Sequence, residues 1–223
     1  MNSPAISHTQ QQAIDMAQAA ATKLREEFEP LSPKMLDQIL CEARSHNGWL
    51  DKPVAKQTLR QLYEIVKMGS TSMNSCPARF VFIQSEQAKQ KLKACLAPLN
   101  VNKVLSAPVT VIVAHDLAFY EKMDKLFAHN PGARQMMADN AKAAEITAFR
   151  NGTLQGAYLM IAARALGLDV GPMSGFNNQA CDEAFFAGTR VRSNFLCCLG
   201  YGDTTKLFQR LPRLDFDEAC QII

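Results

Sequence analysis

The chain has 223 residues, 48% of them hydrophobic and 20% charged, with a formal net charge of +3. That balance supports a real core in one domain of ordinary size and excludes wholesale disorder. No basic run marks a nucleic-acid face, and the apolar stretches at 109–114 and 157–166 fall short of the roughly 18 residues a membrane span needs. The start, MNSPAISHTQQQ, lacks the basic and apolar regions of a secretory signal.

In chain order, residues 9–28 are expected to form an amphipathic helical arm, with Ile14, Ala17, Ala21, Leu24 and Phe28 on one stripe. A frayed tail is an equal reading for residues 1–12. Pro30–Pro33 reads as a stop and restart, with Ser32 as N-cap and Pro33 in the first helical position. A helix to about Arg44 follows, with Met35, Leu36, Ile39, Leu40 and Ala43 on one face. The spacing predicts another helix over 56–68, ended by Gly69. Residues 69–77 are a loop, 79–84 a strand and 85–96 a helix capped by Ser85. The run 107–114 reads as a strand buried on both faces. A single long helix is expected over 133–166, with Ile146, Phe149, Leu154, Tyr158, Ile161 and Leu166 in the core and Gly167 as its stop. A short strand at 168–170, a turn-rich loop at 171–175, a helix at 178–186 and an apolar strand at 195–200 complete the pattern. The tail from Leu214 begins extended and ends in a short helical stretch. The expected architecture is α+β, with about four strands flanked by helices, and two parts: an arm over 1–31 and a domain over 32–223.

The seven cysteines, Cys41, Cys76, Cys95, Cys181, Cys197, Cys198 and Cys220, are odd in number and contain no C-x-x-C. They read as free thiols in a reducing, cytoplasmic setting. The histidines, His8, His46, His115 and His129, show no zinc spacing, so no metal is expected. A phosphate-binding P-loop, a nucleophile elbow and a dinucleotide fingerprint are missing. Gly200-Tyr201-Gly202 lacks the third glycine and reads as a plain turn.

Three polar islands remain. In the first, Arg44-Ser45-His46-Asn47-Gly48-Trp49, an arginine fork and a hydroxyl suit a phosphate; the plain alternative is an arginine serving helix-end carbonyls. The second, Ser70-Thr71-Ser72-Met73-Asn74-Ser75-Cys76-Pro77, offers small side chains and N–H groups to an anion or sugar, or is an ordinary turn. The third, Gly171-Pro172-Met173-Ser174-Gly175-Phe176, lets backbone approach a flat ligand, or is a tight connection. Taken in order, together with Asn100 and Lys103 ahead of Ala107 and with Arg210-Leu211-Pro212, these islands resemble the FMN-dependent nitroreductase family from about residue 32 onward. Within it the phrases are most similar to the malonic semialdehyde reductase (3-hydroxypropanoate dehydrogenase) subgroup of pyrimidine degradation.

The resemblance implies a mostly antiparallel sheet, an intertwined homodimer and FMN as cofactor. It places Arg44, Ser45, Asn47 and Arg210 at the flavin phosphate. Lys103 falls at the N1/O2 edge with Asn100 beside it, and Pro172, Met173, Ser174 and Gly175 lie along the ring. The Ser174 N–H would point at N5, and Ser70, Thr71, Ser72 and Asn74 would come from the second subunit. The implied chemistry is ping-pong hydride transfer from NAD(P)H through flavin N5 to an aldehyde, malonic semialdehyde in the subgroup, or to a nitro or quinone acceptor; a flavin-binding protein without turnover is the non-enzymatic alternative. Asn47 and Phe208 stand where many members carry basic residues, and Cys76 and Ala78 replace a common Gln and Trp, so the phosphate pocket is expected to lean on Arg44 and Arg210. A carboxylate substrate would need a cation, for which Arg79, Arg134 and Arg150 are candidates.

Overall fold

The computed structural model describes residues 7–223; the part of the expected N-terminal tail that falls on residues 1–6 lies outside them. The described residues divide into two compact units, with the boundary between Asp37 and Gln38. In the first, helix α1 (His8–Glu26) starts at a reciprocal cap between Ser7 and Gln10 and buries no residue, leaving Ile14, Leu24 and Phe28 exposed. Ser32 accepts from the Met35 N–H ahead of α2 (Pro33–Leu36), with Pro33 at the helix start as expected. The single helix expected up to Arg44 is not formed. One α turn gives way to a wider π turn over Asp37–Cys41, and Met35, Leu36 and Leu40, expected to share one helical face, are exposed.

The second unit is built on four antiparallel strands: β1 (Ala78–Ile83), β2 (Val109–Asp116), β3 (Asp169–Met173) and β4 (Val191–Gly200), in the order β1-β2-β4-β3. The helices in this unit, in chain order, are α3 (Lys56–Val66), α4 (Glu86–Lys93), α5 (Val101–Ser106), α6 (Met123–Leu126), α7 (Gly132–Ala138), α8 (Ala141–Ala165), α9 (Asn178–Phe185) and α10 (Phe216–Ala219). Strand β2 is apolar on both sides because both sides are covered. Val109, Val111 and Val113 pack with Leu62, Val66 and Leu159 from α3 and α8; Ile112 and Ala114 pack with Leu92 from α4 and Cys181 from α9. The period-two alternation of the strand thus feeds two cores at once.

Four expectations for this unit are corrected. The helix over 133–166 is two helices, because the Asn140 side chain caps a new start by accepting from the Ala143 N–H at 3.0 Å. Ile146, Phe149 and Leu154 are exposed; the face that α8 turns to the sheet carries small and polar residues, Ala144, Ala148, Asn151, Gly152, Gln155 and Gly156. The supposed loop at 171–175 is strand as far as Met173; Asn100 stands at the start of the short helix α5 and Lys103 inside it, ahead of Ala107 and β2 as the sequence order indicated. The C-terminal helix is Phe216–Ala219, and the last residues are extended. Gly167 does end α8: at φ 77° it lets the Leu168 N–H reach the Ala163 carbonyl and its own N–H the Arg164 carbonyl.

The polar residues of α8 have a common task. Asn151 Oδ1 accepts from the Ser72 N–H at 2.8 Å, Gln155 Oε1 from the Ala78 N–H at 2.9 Å, and the Tyr158 hydroxyl donates to the Ser70 carbonyl at 3.0 Å. At spacings of four and three residues these side chains form one row on the helix, and the row holds the 70–77 loop. That loop needs holding: Met73, Asn74 and Cys76 have φ of 52°, 46° and 41°, each a strained backbone for a residue with a Cβ. Asn151→Ala strands the Ser72 N–H and is expected to cost about 1–3 kcal/mol of stability, measured by urea denaturation against wild type.

Candidate functional site

Arg44, Ser45, Asn47 and Arg210 line one cleft of about 600 Å³, together with Arg164, Phe208 and Arg213. The first island runs beside β3: Ser45 bridges Val170, and the His46 N–H donates to the Val170 carbonyl at 2.9 Å. On its other side the Leu50 N–H reaches the Tyr201 carbonyl and the Asp203 N–H reaches the Gly48 carbonyl. Arg44 does not serve helix-end carbonyls; its Nη2 donates to the Phe208 carbonyl at 2.5 Å and so ties the strip to the segment that carries Arg210. Arg210 pairs with Glu42 at 3.2 Å. The cleft therefore gathers four guanidiniums, those of Arg44, Arg164, Arg210 and Arg213, against the Glu42 carboxylate.

His46 pins this arrangement. Its buried ring sets Nε2 3.3 Å from an Asp169 oxygen, and the other Asp169 oxygen accepts from the Gly202 N–H at 2.8 Å. The Nδ1 edge faces Gly202 so closely that a Cβ there would overlap the ring, and Nδ1 has no hydrogen-bond partner. The arrangement suits a neutral imidazole protonated on Nε2. A second proton would place a charge at an atom with no acceptor, and burial, followed by the repulsion of Arg44, Arg164 and Lys103 against the pull of Asp169, holds the His46 pKa below the ordinary histidine range. Gly202, which looked like an ordinary turn residue, is thus required by the ring beside it.

The third island is locked to the lysine helix. Lys103 is 8% exposed, and its Nζ lies 3.4 Å from the Pro172 carbonyl. Gly171 leaves room for the Lys103 chain, the Trp49 ring and the His46 carbonyl, all of which a Cβ would meet. The Trp49 indole donates to the Lys103 carbonyl at 3.1 Å. Asn100 is occupied as a backbone clamp, its amide donating to the Gly175 carbonyl at 2.8 Å. Ser174 and Gly175 are exposed beyond the end of β3. Burial lowers the Lys103 pKa, and an anion facing Nζ would push it back up. Behind this site Cys197 and Cys198 are buried in β4, and burial raises their thiols to about 12 and about 11, the wrong direction for a nucleophile.

Ser70, Thr71 and Asn74 line a different cleft of about 660 Å³, with Cys76, Arg79 and Lys125; Ser72 is turned to Asn151. A single chain thus brings the first and third islands into contact and leaves the second apart. The chain-order reading missed His46, Asp169 and Gly202 as a pinning group, and Arg164 and Arg213 as cleft residues. An arginine in the last turn of the otherwise apolar AYLMIAARAL run was the available signal for Arg164.

The family profile described as the nitroreductase family matches residues 40–201, which include the pinned strip, all four strands and α8. The chain belongs to the nitroreductase family. It is 56% identical to an inferred NADH dehydrogenase/NAD(P)H nitroreductase of Cupriavidus pinatubonensis over 85% of this chain and 97% of that protein. A similarly named protein of Ralstonia pickettii, HadB, is 57% identical over 81% of this chain and 93% of its own length. Among solved structures, a nitroreductase assigned by inference from Bacillus subtilis superposes with a TM-score of 0.75 at 20% identity, covering 86% of this chain and 100% of that one. One from Exiguobacterium sibiricum, solved in complex with FMN, superposes with a TM-score of 0.76 at 21% identity, covering 88% and 100%. These two likenesses bear on the fold. No helix among the described residues of this nitroreductase-family chain is long and apolar enough to cross a membrane.

Gly202→Ala drives a methyl group into the His46 ring and is expected to destabilise the protein by about 1–3 kcal/mol, read as a lower urea midpoint. The buried histidines also set a pH dependence. His46 and His115 both have pKa values lowered mainly by burial, so on acidification through about pH 6.5 the unfolded chain takes up protons that the folded chain refuses. Stability is therefore expected to fall as pH drops below that point, and the slope to flatten in the double variant His46→Gln/His115→Gln, measured by denaturant titration across pH.

Proposed function

We propose that this chain is an FMN-dependent NAD(P)H oxidoreductase whose site is completed by a second copy of itself. The observation that carries the reading is the arginine cleft joined through His46 and Gly171 to the buried Lys103 and the exposed end of β3. The residues suit the cofactor. Arg44, Ser45, Asn47 and Arg210 offer charge-assisted donors to a phosphate, and Lys103 offers a cation where a flat ring would lie along Pro172–Gly175. When bound, FMN would supply two-electron hydride transfer between a nicotinamide and an acceptor. Lys103 would stabilise negative charge that develops on reduction, the Ser174 backbone would hold the ring edge, and Asn100 would keep the ring loop in place through Gly175. The names of the curated relatives support NAD(P)H as the reductant.

The second island supports the dimer: Ser70, Thr71, Ser72 and Asn74 stand apart from the other site residues in one chain, and the family resemblance assigns them to the partner's flavin. Phe149, Leu154, Leu211, Leu214 and Phe216, all exposed on one chain, give such an assembly apolar surface to bury. For the acceptor, the motif likeness favours malonic semialdehyde, which would take a hydride and a proton to give 3-hydroxypropanoate while NAD(P)H becomes NAD(P)+. Of the carboxylate anchors considered, Arg134 is paired with Asp124 on the surface, whereas Arg79, held at 2.7 Å by Asp116, lines the second-island cleft beside Lys125. Nitro and quinone acceptors are the second reading, favoured by the relatives' names.

Purified protein is expected to carry a flavin band that NAD(P)H bleaches anaerobically and that malonic semialdehyde restores faster than nitroaromatic or quinone acceptors. Protein that takes up no FMN would refute the proposal. Sedimentation is expected to show a dimer at micromolar concentration. Lys103→Ala is expected to lower the midpoint potential of bound FMN by about 40–80 mV, corresponding to about 2–4 kcal/mol for a two-electron couple, with a smaller effect on the affinity for oxidised FMN.

A further inference from the structure

The sequence suggested a phosphate pocket short of positive charge, since Asn47 and Phe208 stand where basic side chains are common. Inside the fold the charge is made up from another direction. Arg164, in the last turn of α8, is half-buried at the cleft that Arg44, Ser45 and Arg210 line. Its Nη1 donates to the Ile39 carbonyl at 3.0 Å and its Nη2 lies 3.5 Å from the Arg44 carbonyl. Both acceptors are neutral. No carboxylate lies within ion-pair distance of Arg164 among the described residues, and the acid nearest in influence, Asp169, is already engaged by His46 and the Gly202 N–H.

A guanidinium has five N–H donors, and two carbonyls do not exhaust them. Removing a cation from water without a counter-charge is costly, and the cost is recovered only if an anion comes to it. The Ile39 contact alone fits a structural role, an arginine ending the π turn. That role asks for donors; it does not ask for uncompensated charge at the wall of an arginine-lined cleft.

We infer that Arg164 is a cofactor-binding residue, a half-buried cation that supplies the phosphate cleft with charge absent from positions 47 and 208 and that fixes Arg44 through its carbonyl. The inference rests on the FMN reading above and deepens it. It makes the clamp three-sided: Arg44 from the strip beside β3, Arg210 from the C-terminal segment and Arg164 from the end of α8. The charge from α8 is less exposed to solvent than that of Arg210, so its pull on a phosphate is screened by salt less.

The experiment uses full-length apo-protein and two probes, FMN and riboflavin, which differ by the phosphate. Affinities are read from flavin fluorescence at low and high salt, and folding from thermal unfolding. Arg164→Gln keeps donors for the two carbonyls and removes the charge. It is expected to weaken FMN binding about 10- to 100-fold, the worth of a hydrogen bond to a charged group, and to change riboflavin binding by less than about threefold on the same grounds. Arg164→Lys is expected to recover part of the FMN affinity and none of any riboflavin loss, and it keeps the test decisive if the Gln form misfolds. Equal losses for FMN and riboflavin, or unchanged FMN binding in a folded Gln variant, would overturn the assignment of Arg164 while leaving the FMN reading intact. Wild-type protein that shows no preference for FMN over riboflavin would overturn both.

Discussion

The interaction on which the site depends is the contact of one residue, His46, with two chain segments, β3 and the turn after β4. His46 reaches Asp169 at the start of β3, presses on Gly202 just after β4, and through its own N–H bonds the strand at Val170. The ring adds side-chain contacts to the backbone bonds and the Arg44–Phe208 link that already hold the strip carrying Arg44 and Ser45 against β3 and the segment leading to Arg210. The ring is buried and works by shape and its contact with Asp169, leaving the positive charge to the arginines and Lys103. A protonated ring would add charge where charge is already dense, which is why burial and repulsion act in the same direction on it.

A second layer of support comes from α8. Its sheet-facing side is too small and too polar for a conventional core helix: alanines and glycines bring it close to the strands, and Asn151, Gln155 and Tyr158 spend their hydrogen bonds on the 70–78 backbone. Close approach and loop support are the same adaptation. Gly152 and Gly156 let His115 and Phe195 fit against the helix, and the polar row then lies within reach of a loop whose left-handed residues would relax if unheld.

Much of the fold was legible in the sequence because its signals were local. Ser32, Ser85 and Gly167 act as the caps their positions suggest, and the continuous apolar run at 109–114 is a strand covered on both faces. The failures have physical causes. Ile146, Phe149 and Leu154 follow helical periodicity but are exposed in one chain, so periodicity reported an apolar face without reporting what covers it. Asn140 breaks the long helix by a side-chain cap that competes with continuation, a choice that composition does not reveal. In the site, ordered motifs picked out Arg44, Ser45, Asn47 and Arg210, which do share a cleft. They could not pick out Arg164, Asp169 or Gly202, whose importance is visible only once strands 169–173 and 191–200 lie side by side.

The helix stop at Gly167 has a further consequence. Arg164 and Asp169 are five residues apart across a left-handed glycine, yet they grip the same 39–46 segment from two sides, one through backbone carbonyls and the other through an imidazole. The connector between α8 and β3 therefore acts as a spacer of fixed length. One inserted residue would set the two grips out of step, whereas the turn around Gly188 is open on its outer side. Within this fold, tolerance to insertion should depend less on whether a segment is a loop than on whether both of its ends hold the same neighbour.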